Sequence, residues 1–237
     1  MKMTKKIIRS LVNKVGYYFF KIDQEEEIFL KNAYRLYEKY SDYTMISKYT
    51  FIENLKLCRN LSTIHGCVVE CGVWRGGMIA AIAEILGNSR NYYLFDSFEG
   101  LPEAKEIDGE GALVWQRDKE NPYFFDNCKA ETMYADKAMK MAEVSNYQLV
   151  KGWFSDTIPN FKFDEDIAIL RLDGDWYEST MQCMEFLYPK VAKGGVIIVD
   201  DYYVWDGCSR AIHDYLSIHK IPCRIRQIQS NCYIIKE

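Results

Sequence analysis

Two pairs of aspartates are the residues of this chain best suited to chemistry. Asp173 and Asp175 flank a glycine, Asp200 and Asp201 are adjacent, and each pair directly follows an apolar run. Carboxylates brought close together repel one another unless a cation lies between them. Their oxygens are hard ligands, which suits a divalent ion such as Mg²⁺. The two pairs therefore predict a magnesium site, provided that the fold brings them together.

The apolar runs indicate how the fold does so. Residues 167–172 and 195–199 are rich in branched apolar side chains, which is typical of buried strands in a parallel sheet. In an open α/β sheet, ligands bind beyond the carboxyl ends of the strands. We therefore expect both aspartate pairs at one edge of the sheet. For Asp175 alone, a helix-capping role is an alternative, since a helix is predicted from about residue 179.

A glycine loop predicts a second ligand at the same edge. Residues 70–77 read ECGVWRGG, between a predicted strand at 67–71 and an alanine-rich helix. Glycine lets a ligand approach the backbone closely. The spacing Glu-x-Gly-x-x-x-Gly is not the dinucleotide motif and occurs in many S-adenosylmethionine-dependent methyltransferases. Packing of the helix against the strand is the alternative explanation.

Asp96 follows the next predicted strand, residues 92–95. A carboxylate at this position can accept hydrogen bonds from both hydroxyls of a ribose, although a solvated aspartate is the alternative. Together, the glycine loop and Asp96 favour a nucleoside ligand, either S-adenosylmethionine or its rival, NAD.

Strands and helices alternate along most of the chain, and the last two strands, at 221–228 and 231–235, are expected to form a hairpin. This order predicts an α/β fold of the Rossmann-like type: a three-layer sandwich with a mostly parallel sheet and a C-terminal antiparallel hairpin. We expect residues 1–60 to form an N-terminal helical extension and residues 61–237 the α/β domain. The acidic segment at about 99–122 is expected to be a loop, long enough to be a substrate lid.

Composition excludes several classes of protein. The net charge of −4 gives no case for a nucleic-acid partner. Eight cysteines form no CxxC pair and several lie in apolar runs, which suits reduced thiols in a cytoplasmic protein. No apolar stretch approaches the roughly 20 residues of a membrane span.

The N-terminal residues 1–21 are locally basic and carry no acid. Their apolar side chains have helical spacing. They are expected to form either a packing or dimer helix, in a homo-oligomer, or an interfacial helix that weakly contacts an anionic membrane.

Seven segments together resemble the macrocin O-methyltransferase family, whose members are class I, magnesium-dependent sugar O-methyltransferases. The segments are residues 44–46 (TMI), 69–77 (VECGVWRGG), 96–102 (DSFEGLP), 152–157 (GWFSDT), 172–180 (LDGDWYEST), 188–191 (YPKV) and 194–202 (GGVIIVDDY). The resemblance covers roughly residues 44–235, so residues 61–237 are expected to be a methyltransferase domain.

The resemblance implies a cofactor site, a metal site and a base. Mg²⁺ is implied at Asp173, Asp200 and Asp201, with Asp175 as the general base that deprotonates a hydroxyl of a sugar or glycosylated small molecule. The resemblance implies that S-adenosylmethionine binds at Glu70, Gly72, Asp96 and Ser97, with Thr44 or Met45 closing over its methionine end. Trp74 and Gly76 of the glycine loop are further candidates, and so is Phe154, which follows a strand end and can stack on adenine, with packing in the core as the alternative.

Some features depart from the family or leave alternatives open. The family's lid is basic and carries histidine, whereas Glu103–Asn127 contains no histidine, so the acceptor is not defined. A catechol-type O-methyltransferase is the nearest alternative, although its second acidic cluster is usually Asp-Asn. A nicotinamide oxidoreductase lacks support from the glycine spacing. A non-enzymatic cofactor-binding protein would not require all four aspartates.

Overall fold

The computed structural model describes residues 24–61 and 63–237. Within these residues, one sheet has the strand order β3-β2-β1-β4-β5-β7-β6. Strands β1 to β5 are parallel, and β7 runs antiparallel to both β5 and β6. The strands are β1 (Cys67–Cys71), β2 (Tyr92–Asp96), β3 (Tyr147–Lys151), β4 (Ile167–Leu172), β5 (Val191–Val199), β6 (Ile225–Ile228) and β7 (Asn231–Ile235).

Helices cover both faces of this sheet. The helices of the described residues are α1 (24–40), α2 (Lys48–Arg59), α3 (Gly77–Leu86), α4 (Glu110–Arg117), α5 (Phe125–Cys128), α6 (Thr132–Met141), α7 (Phe154–Thr157), α8 (Tyr177–Leu187) and α9 (Asp206–Ile218). Of these, α4 and α5 belong to the connection between β2 and α6, and α5 is a single turn with left-handed backbone. One apolar layer joins α1, α2, α3 and α6 to the sheet, and the other joins α8 and α9 to its opposite face. The predicted Rossmann-like three-layer fold is confirmed.

The sheet register explains why the chemistry lies at one edge. Successive residues of β1 point to opposite faces of the sheet, and both faces are covered: Val68 is buried in one apolar layer and Val69 in the other. This is why the strand is mostly apolar without alternation. Cys71 is in register with Leu172, and Leu172 with Val199. The residues that follow these three strand ends are therefore neighbours in space.

The N-terminal part of the described chain packs on the same core. Leu36 of α1 and Phe51 of α2 are fully buried beside Ile79 of α3. The division between residues 1–60 and 61–237 stays a prediction. The basic segment 1–21, with its proposed membrane or subunit contact, lies outside the described residues. No helix among the described residues is long and apolar enough to cross a membrane.

The expectation of a structureless loop at 99–122 is wrong for residues 106–117. A 3₁₀ turn spans Glu106–Asp108, and α4 follows it directly. Gly109 made the segment read as a loop, but its backbone, with φ of 90°, is the N-cap of α4. A Cβ there would lie 2.7 Å from Asp206 Oδ2, so this glycine also allows the segment to pack against α9.

Candidate active site

A cavity of about 470 Å³ lies at the carboxyl ends of the parallel strands. Its volume is within the range of small-molecule sites, roughly 300–1,000 Å³. Most of the residues singled out from the sequence line it: Thr44, Met45, Glu70, Gly72, Trp74, Asp96, Ser97, Phe154, Asp173, Asp175, Asp200 and Asp201. The fold thus gathers residues from positions 44 to 201 around one space.

Gly76 is not among the lining residues of this cavity. It precedes α3 with φ of 82°, and a Cβ there would lie 2.9 Å from the Cα of Ala135. The packing explanation therefore has direct support at Gly76. At Gly72, by contrast, a Cβ would lie 1.6 Å from the carbonyl oxygen of Asp173, so glycine is required where the two site loops touch.

Asp96 holds the glycine loop. Its Oδ2 accepts hydrogen bonds from the backbone N–H groups of Val73 (2.7 Å) and Trp74 (2.8 Å), and its Oδ1 accepts one from Phe98 (2.6 Å). Burial raises the pKa of Asp96, and these three bonds oppose that shift. The carboxylate therefore orders the loop whatever else it binds, and its contact with a ribose stays a prediction.

Three buried polar atoms in the glycine loop have no hydrogen-bond partner among the described residues, and two of them belong to residues that line the cavity. These two are Oε2 of Glu70 and Nε1 of Trp74. Buried polar groups are normally paired, so unpaired ones facing a cavity indicate a ligand. One acceptor and one donor suit a ligand that carries both an ammonium and a carboxylate group, as S-adenosylmethionine does.

A buried guanidinium joins this loop to the aspartates. Arg171 of β4 is 1% exposed. Its Nη1 lies 2.7 Å from Glu70 Oε1 and 2.6 Å from Asp173 Oδ2, and its Nη2 lies 2.7 Å from Asp200 Oδ1. Arg171 was not predicted as a site residue, although an arginine inside a buried apolar strand is itself a signal, because a buried charge requires partners.

All four predicted aspartates line the cavity, and three of them form a tighter group. Carboxylate oxygens of Asp173, Asp175 and Asp201 lie within 4.8 Å of one another, while Asp200 is paired with Arg171. The ligand set implied by the resemblance contains Asp200 and leaves Asp175 as the base. The assignment of Asp175 and Asp200 to these roles therefore stays a prediction.

The electrostatics of the cluster favour a bound cation. Burial, followed by repulsion from Asp173, raises the pKa of Asp175 to about 8. Burial raises the pKa of Asp200 to about 6 although Arg171 opposes the shift, and burial together with the neighbouring aspartates holds the pKa of Asp201 well above its ordinary value. A divalent cation would relieve this repulsion, and oxygen donors of this kind fit Mg²⁺.

Asp175 is held at both its backbone and its side chain. Its backbone is left-handed, with φ of 57°, and its N–H donates to Asp201 Oδ2 at 3.1 Å. Trp205 Nε1 donates to Asp175 Oδ1 at 2.8 Å. Another residue, Asp108, caps the first turn of α8, since the Tyr177 N–H donates to Asp108 Oδ1 at 2.7 Å. The sequence signalled neither Trp205 nor Asp108, because both contacts join distant segments.

Aromatic side chains form the remaining wall of the cavity: Trp115, Tyr123, Phe125, Trp153, Phe154 and Trp205. Such rings offer broad apolar contact and, in Trp and Tyr, a hydrogen-bonding group. Among the described lining residues, Arg171 is the only cation, and its charge is engaged by three carboxylates. The cavity thus combines an anionic cluster with an aromatic wall.

Comparison with known proteins agrees with this geometry. The Macrocin-O-methyltransferase (TylF) family model matches residues 38–236. Demethyldecarbamoylnovobiocin O-methyltransferase of Streptomyces niveus is 33% identical over 178 residues, which cover 69% of this chain and 64% of that protein. Mycinamicin III 3''-O-methyltransferase of Micromonospora griseorubida is 32% identical over 176 residues, covering 70% of this chain and 66% of that protein. The chain therefore spans about two thirds of the length of these relatives.

Solved structures give the same fold. The structure of the O-methyltransferase NovP superposes with a TM-score of 0.68 at 29% identity, covering 82% of each chain. The calicheamicin methyltransferase CalS11, at 21% identity and a TM-score of 0.57, covers 87% of this chain and 91% of its own, and it supports the fold alone. Because that family model matches residues 38–236, which is most of the chain, this chain belongs to the macrocin O-methyltransferase family.

Proposed function

We propose that this protein is an S-adenosylmethionine-dependent and Mg²⁺-dependent O-methyltransferase that acts on a hydroxyl of a sugar or glycosylated small molecule. One observation carries the proposal. A single cavity contains both the glycine loop with its unpaired polar atoms and the aspartate cluster. Relatives named as methyltransferases of novobiocin and mycinamicin precursors support the choice of acceptor.

The cofactor end of the cavity positions the methyl donor. Glu70, Trp74 and Asp96 would hold S-adenosylmethionine, and Thr44 and Met45 line the same space. The sulfonium of S-adenosylmethionine supplies an already activated methyl group. The work left to the chain is alignment of the acceptor oxygen with that methyl group, and such positioning supplies effective molarities of roughly 10⁵ M or more.

The aspartates of the same cavity would remove the proton of the acceptor hydroxyl. A sugar hydroxyl is a poor nucleophile near neutral pH, so a base must remove its proton. Asp175 lies at the cavity surface, and burial raises its pKa to about 8, which is near the range useful to a general base. Asp173, Asp200 and Asp201 would hold Mg²⁺, whose Lewis acidity lowers the pKa of a nearby hydroxyl by several units.

The cellular setting is part of the proposal. We infer a cytoplasmic enzyme, and the eight free cysteines support a reducing compartment. The net charge of −4 argues against a nucleic-acid partner. Homo-oligomerisation and a weak membrane contact of residues 1–21 stay expectations from the sequence.

Methyl transfer to a sugar acceptor in the presence and absence of metal tests the function. The full chain is incubated with S-adenosylmethionine and a panel of glycosides that includes methyl α-L-rhamnopyranoside, and methylated product is detected by mass spectrometry. We expect EDTA to abolish product formation and excess Mg²⁺ to restore it. Asp175→Asn should lower the rate by about 10²–10⁴-fold.

Asp156→Asn is the matched control because Asp156 is exposed and outside the cavity lining. It should retain the wild-type rate. Full activity in excess EDTA would refute the metal requirement. Failure to bind S-adenosylhomocysteine in calorimetry would refute the function as a whole.

A further inference from the structure

Trp205 lies beside the acid cluster and contacts two of its aspartates. It follows β5 by a few residues, in the same short segment as Asp201, and its backbone N–H donates to the Asp201 carbonyl at 3.0 Å. Its indole N–H donates to Asp175 Oδ1 at 2.8 Å. One segment therefore holds Asp175 twice, through the Asp201 carboxylate at the backbone and through Trp205 at the side chain.

A carboxylate that accepts a proton from a substrate must be held in a fixed orientation by its neighbours. The side chain of Asp175 rotates about two bonds, and its backbone adopts a left-handed conformation that is unfavourable for a non-glycine residue. Strained backbone of this kind persists where surrounding contacts enforce it, and it is concentrated at functional sites. The indole bond fixes the orientation of the carboxylate and leaves its second oxygen, Oδ2, free of that donor.

The indole is itself fixed by the lid, which we define as residues 99–128. Trp205 meets Trp176 edge-to-face at a centroid distance of 5.3 Å and Trp115 of α4 at 5.8 Å, and the latter two rings are 6.0 Å apart. Edge-to-face aromatic pairs have defined geometry. Contact with Trp115 means that a helix of the lid helps to set the orientation of the indole that holds Asp175.

We propose that Trp205 is a positioning residue that fixes the Asp175 carboxylate for proton transfer and that the lid supports it through Trp115. The inference rests on the proposed function because it assumes that Asp175 is the base. Its alternative is that Trp205 serves only as an apolar wall of the cavity. The two differ in whether the effect of changing Trp205 depends on Asp175.

A spectroscopic test examines the contact without any acceptor. The chain has five tryptophans, so a ¹⁵N-labelled sample gives a short set of indole N–H signals, and that of Trp205 is assigned by its loss in Trp205→Phe. A bond to a carboxylate is short and strong. We therefore expect Asp175→Ala to shift the Trp205 indole proton upfield while the Trp176 signal, whose N–H donates to the Pro102 carbonyl, moves far less. An unmoved Trp205 signal would refute the contact.

A kinetic test then examines the role. With methyl α-L-rhamnopyranoside as the acceptor, Trp205→Phe should lower kcat by about 10–100-fold, the size of a lost hydrogen bond to a charged group, with little change in the acceptor KM. Tyr92→Phe is the matched control, because it also removes one hydrogen bond of a buried aromatic side chain, that from the Tyr92 hydroxyl to the Gly87 carbonyl at 2.7 Å, but lies outside the cavity lining. It should leave kcat within about threefold of wild type.

A double-mutant cycle decides between positioning and packing. If Trp205 acts through Asp175, Trp205→Phe should change the residual rate very little in an Asp175→Ala background. An undiminished effect in that background, or a rise in KM with unchanged kcat, would overturn the proposal. If the wild-type enzyme does not methylate the probe, it is the proposed function that fails for this acceptor, and the indole signal still decides whether the contact exists.

Discussion

The floor and the lid of the cavity are held in place by different forces. The strand-end floor, residues 70–76, 171–175 and 200–201, lies at the carboxyl ends of three buried parallel strands. Within it, Glu70, Asp173 and Asp200 converge on the guanidinium of Arg171. The lid is joined to the rest of the molecule by a small apolar cluster around Trp115 and Trp176 and by individual polar contacts. Trp176, for example, donates to the Pro102 carbonyl at 2.9 Å, and Lys105 pairs with Glu178 at 2.6 Å.

This difference assigns stability and selectivity to separate regions. A floor anchored in the sheet core cannot move without disturbing the fold, so it suits the steps common to a family. A lid held by one small apolar cluster and separate polar contacts can change its sequence and shape at a smaller cost. We therefore expect changes in the floor to affect folding and cofactor binding, and changes in the lid to affect the acceptor.

The largest effect is expected from the buried cation of the floor. Arg171→Met would leave Glu70, Asp173 and Asp200 without their shared counter-charge, and loss of one partner of a buried ion pair costs about 3–5 kcal/mol. Thermal unfolding of the metal-free protein should show Tm lower by roughly 6–20 °C. Added Mg²⁺ should recover part of the loss, since it restores positive charge near the same carboxylates.

Arg59→Met is the control for Arg171. Arg59 pairs with Glu26 where both side chains are about one third exposed, at 30% and 35%. A surface ion pair contributes about 0–1 kcal/mol, so this change should lower Tm very little. Equal effects of the two substitutions would show that the floor does not depend on its buried guanidinium.

A smaller effect, on affinity, is expected at the second strand end. Asp96→Ala removes the acceptor for three backbone N–H groups, two of them in the glycine loop, and leaves these donors without their partner. Calorimetry should show S-adenosylhomocysteine binding weakened by at least about tenfold, because unpaired buried donors cost roughly 1–3 kcal/mol each. Asp118→Ala, at an exposed position, should bind as wild type does. Unchanged affinity in a folded Asp96→Ala protein would exclude Asp96 from the cofactor site.

The floor should also make stability depend on pH. The pKa of Asp175 is raised to about 8, so the folded protein favours its protonated form. The stabilisation is fully present below the ordinary aspartate pKa of about 3.9 and is lost as pH rises towards 8. In EDTA, the Tm of Asp175→Asn minus that of wild type should therefore increase by roughly 7–14 °C between pH 5 and pH 8. A constant or falling difference would contradict the raised pKa.

Much of the floor was predictable from the sequence because strand periodicity determines it. The apolar runs before Asp173 and Asp200 place both residues at strand ends, and the parallel register then makes them neighbours. The same reasoning places Gly72 beside Asp173. These inferences need only local patterns and the general geometry of parallel sheets.

The lid and the supports of the base were not predictable in this way. Helix α4 is stabilised by packing of Ala112 and Trp115 on tryptophans more than 50 residues away, and no local pattern specifies those partners. Likewise, Asp108 bonds the first turn of α8, which begins 69 residues later in the chain. Single long-range contacts of this kind leave no periodic trace in the sequence.

The smallest effect is expected from Asn127, which joins the two ends of the lid. Its Nδ2 donates to the Leu101 carbonyl at 2.8 Å, and its Oδ1 accepts from Gln116 Nε2 at 3.1 Å. Its backbone is left-handed, with φ of 57°, a conformation that asparagine tolerates better than alanine. Asn127→Ala should loosen the lid at a cost of about 1–2 kcal/mol, raising the acceptor KM several-fold while cofactor affinity stays unchanged.

Two variants separate the hydrogen bonds of Asn127 from its backbone strain. Asn127→Gly also loses both bonds but accepts the left-handed backbone without strain, so a similar rise in KM in both variants would assign the effect to the bonds. Asn160→Ala removes a comparable bond to the Asp156 carbonyl outside the lid, and it should leave KM unchanged. If Asn127→Ala instead weakened S-adenosylhomocysteine binding as strongly as Asp96→Ala, the lid would be part of the cofactor site. The separation of floor and lid would then fail, because one segment would control both cofactor and acceptor.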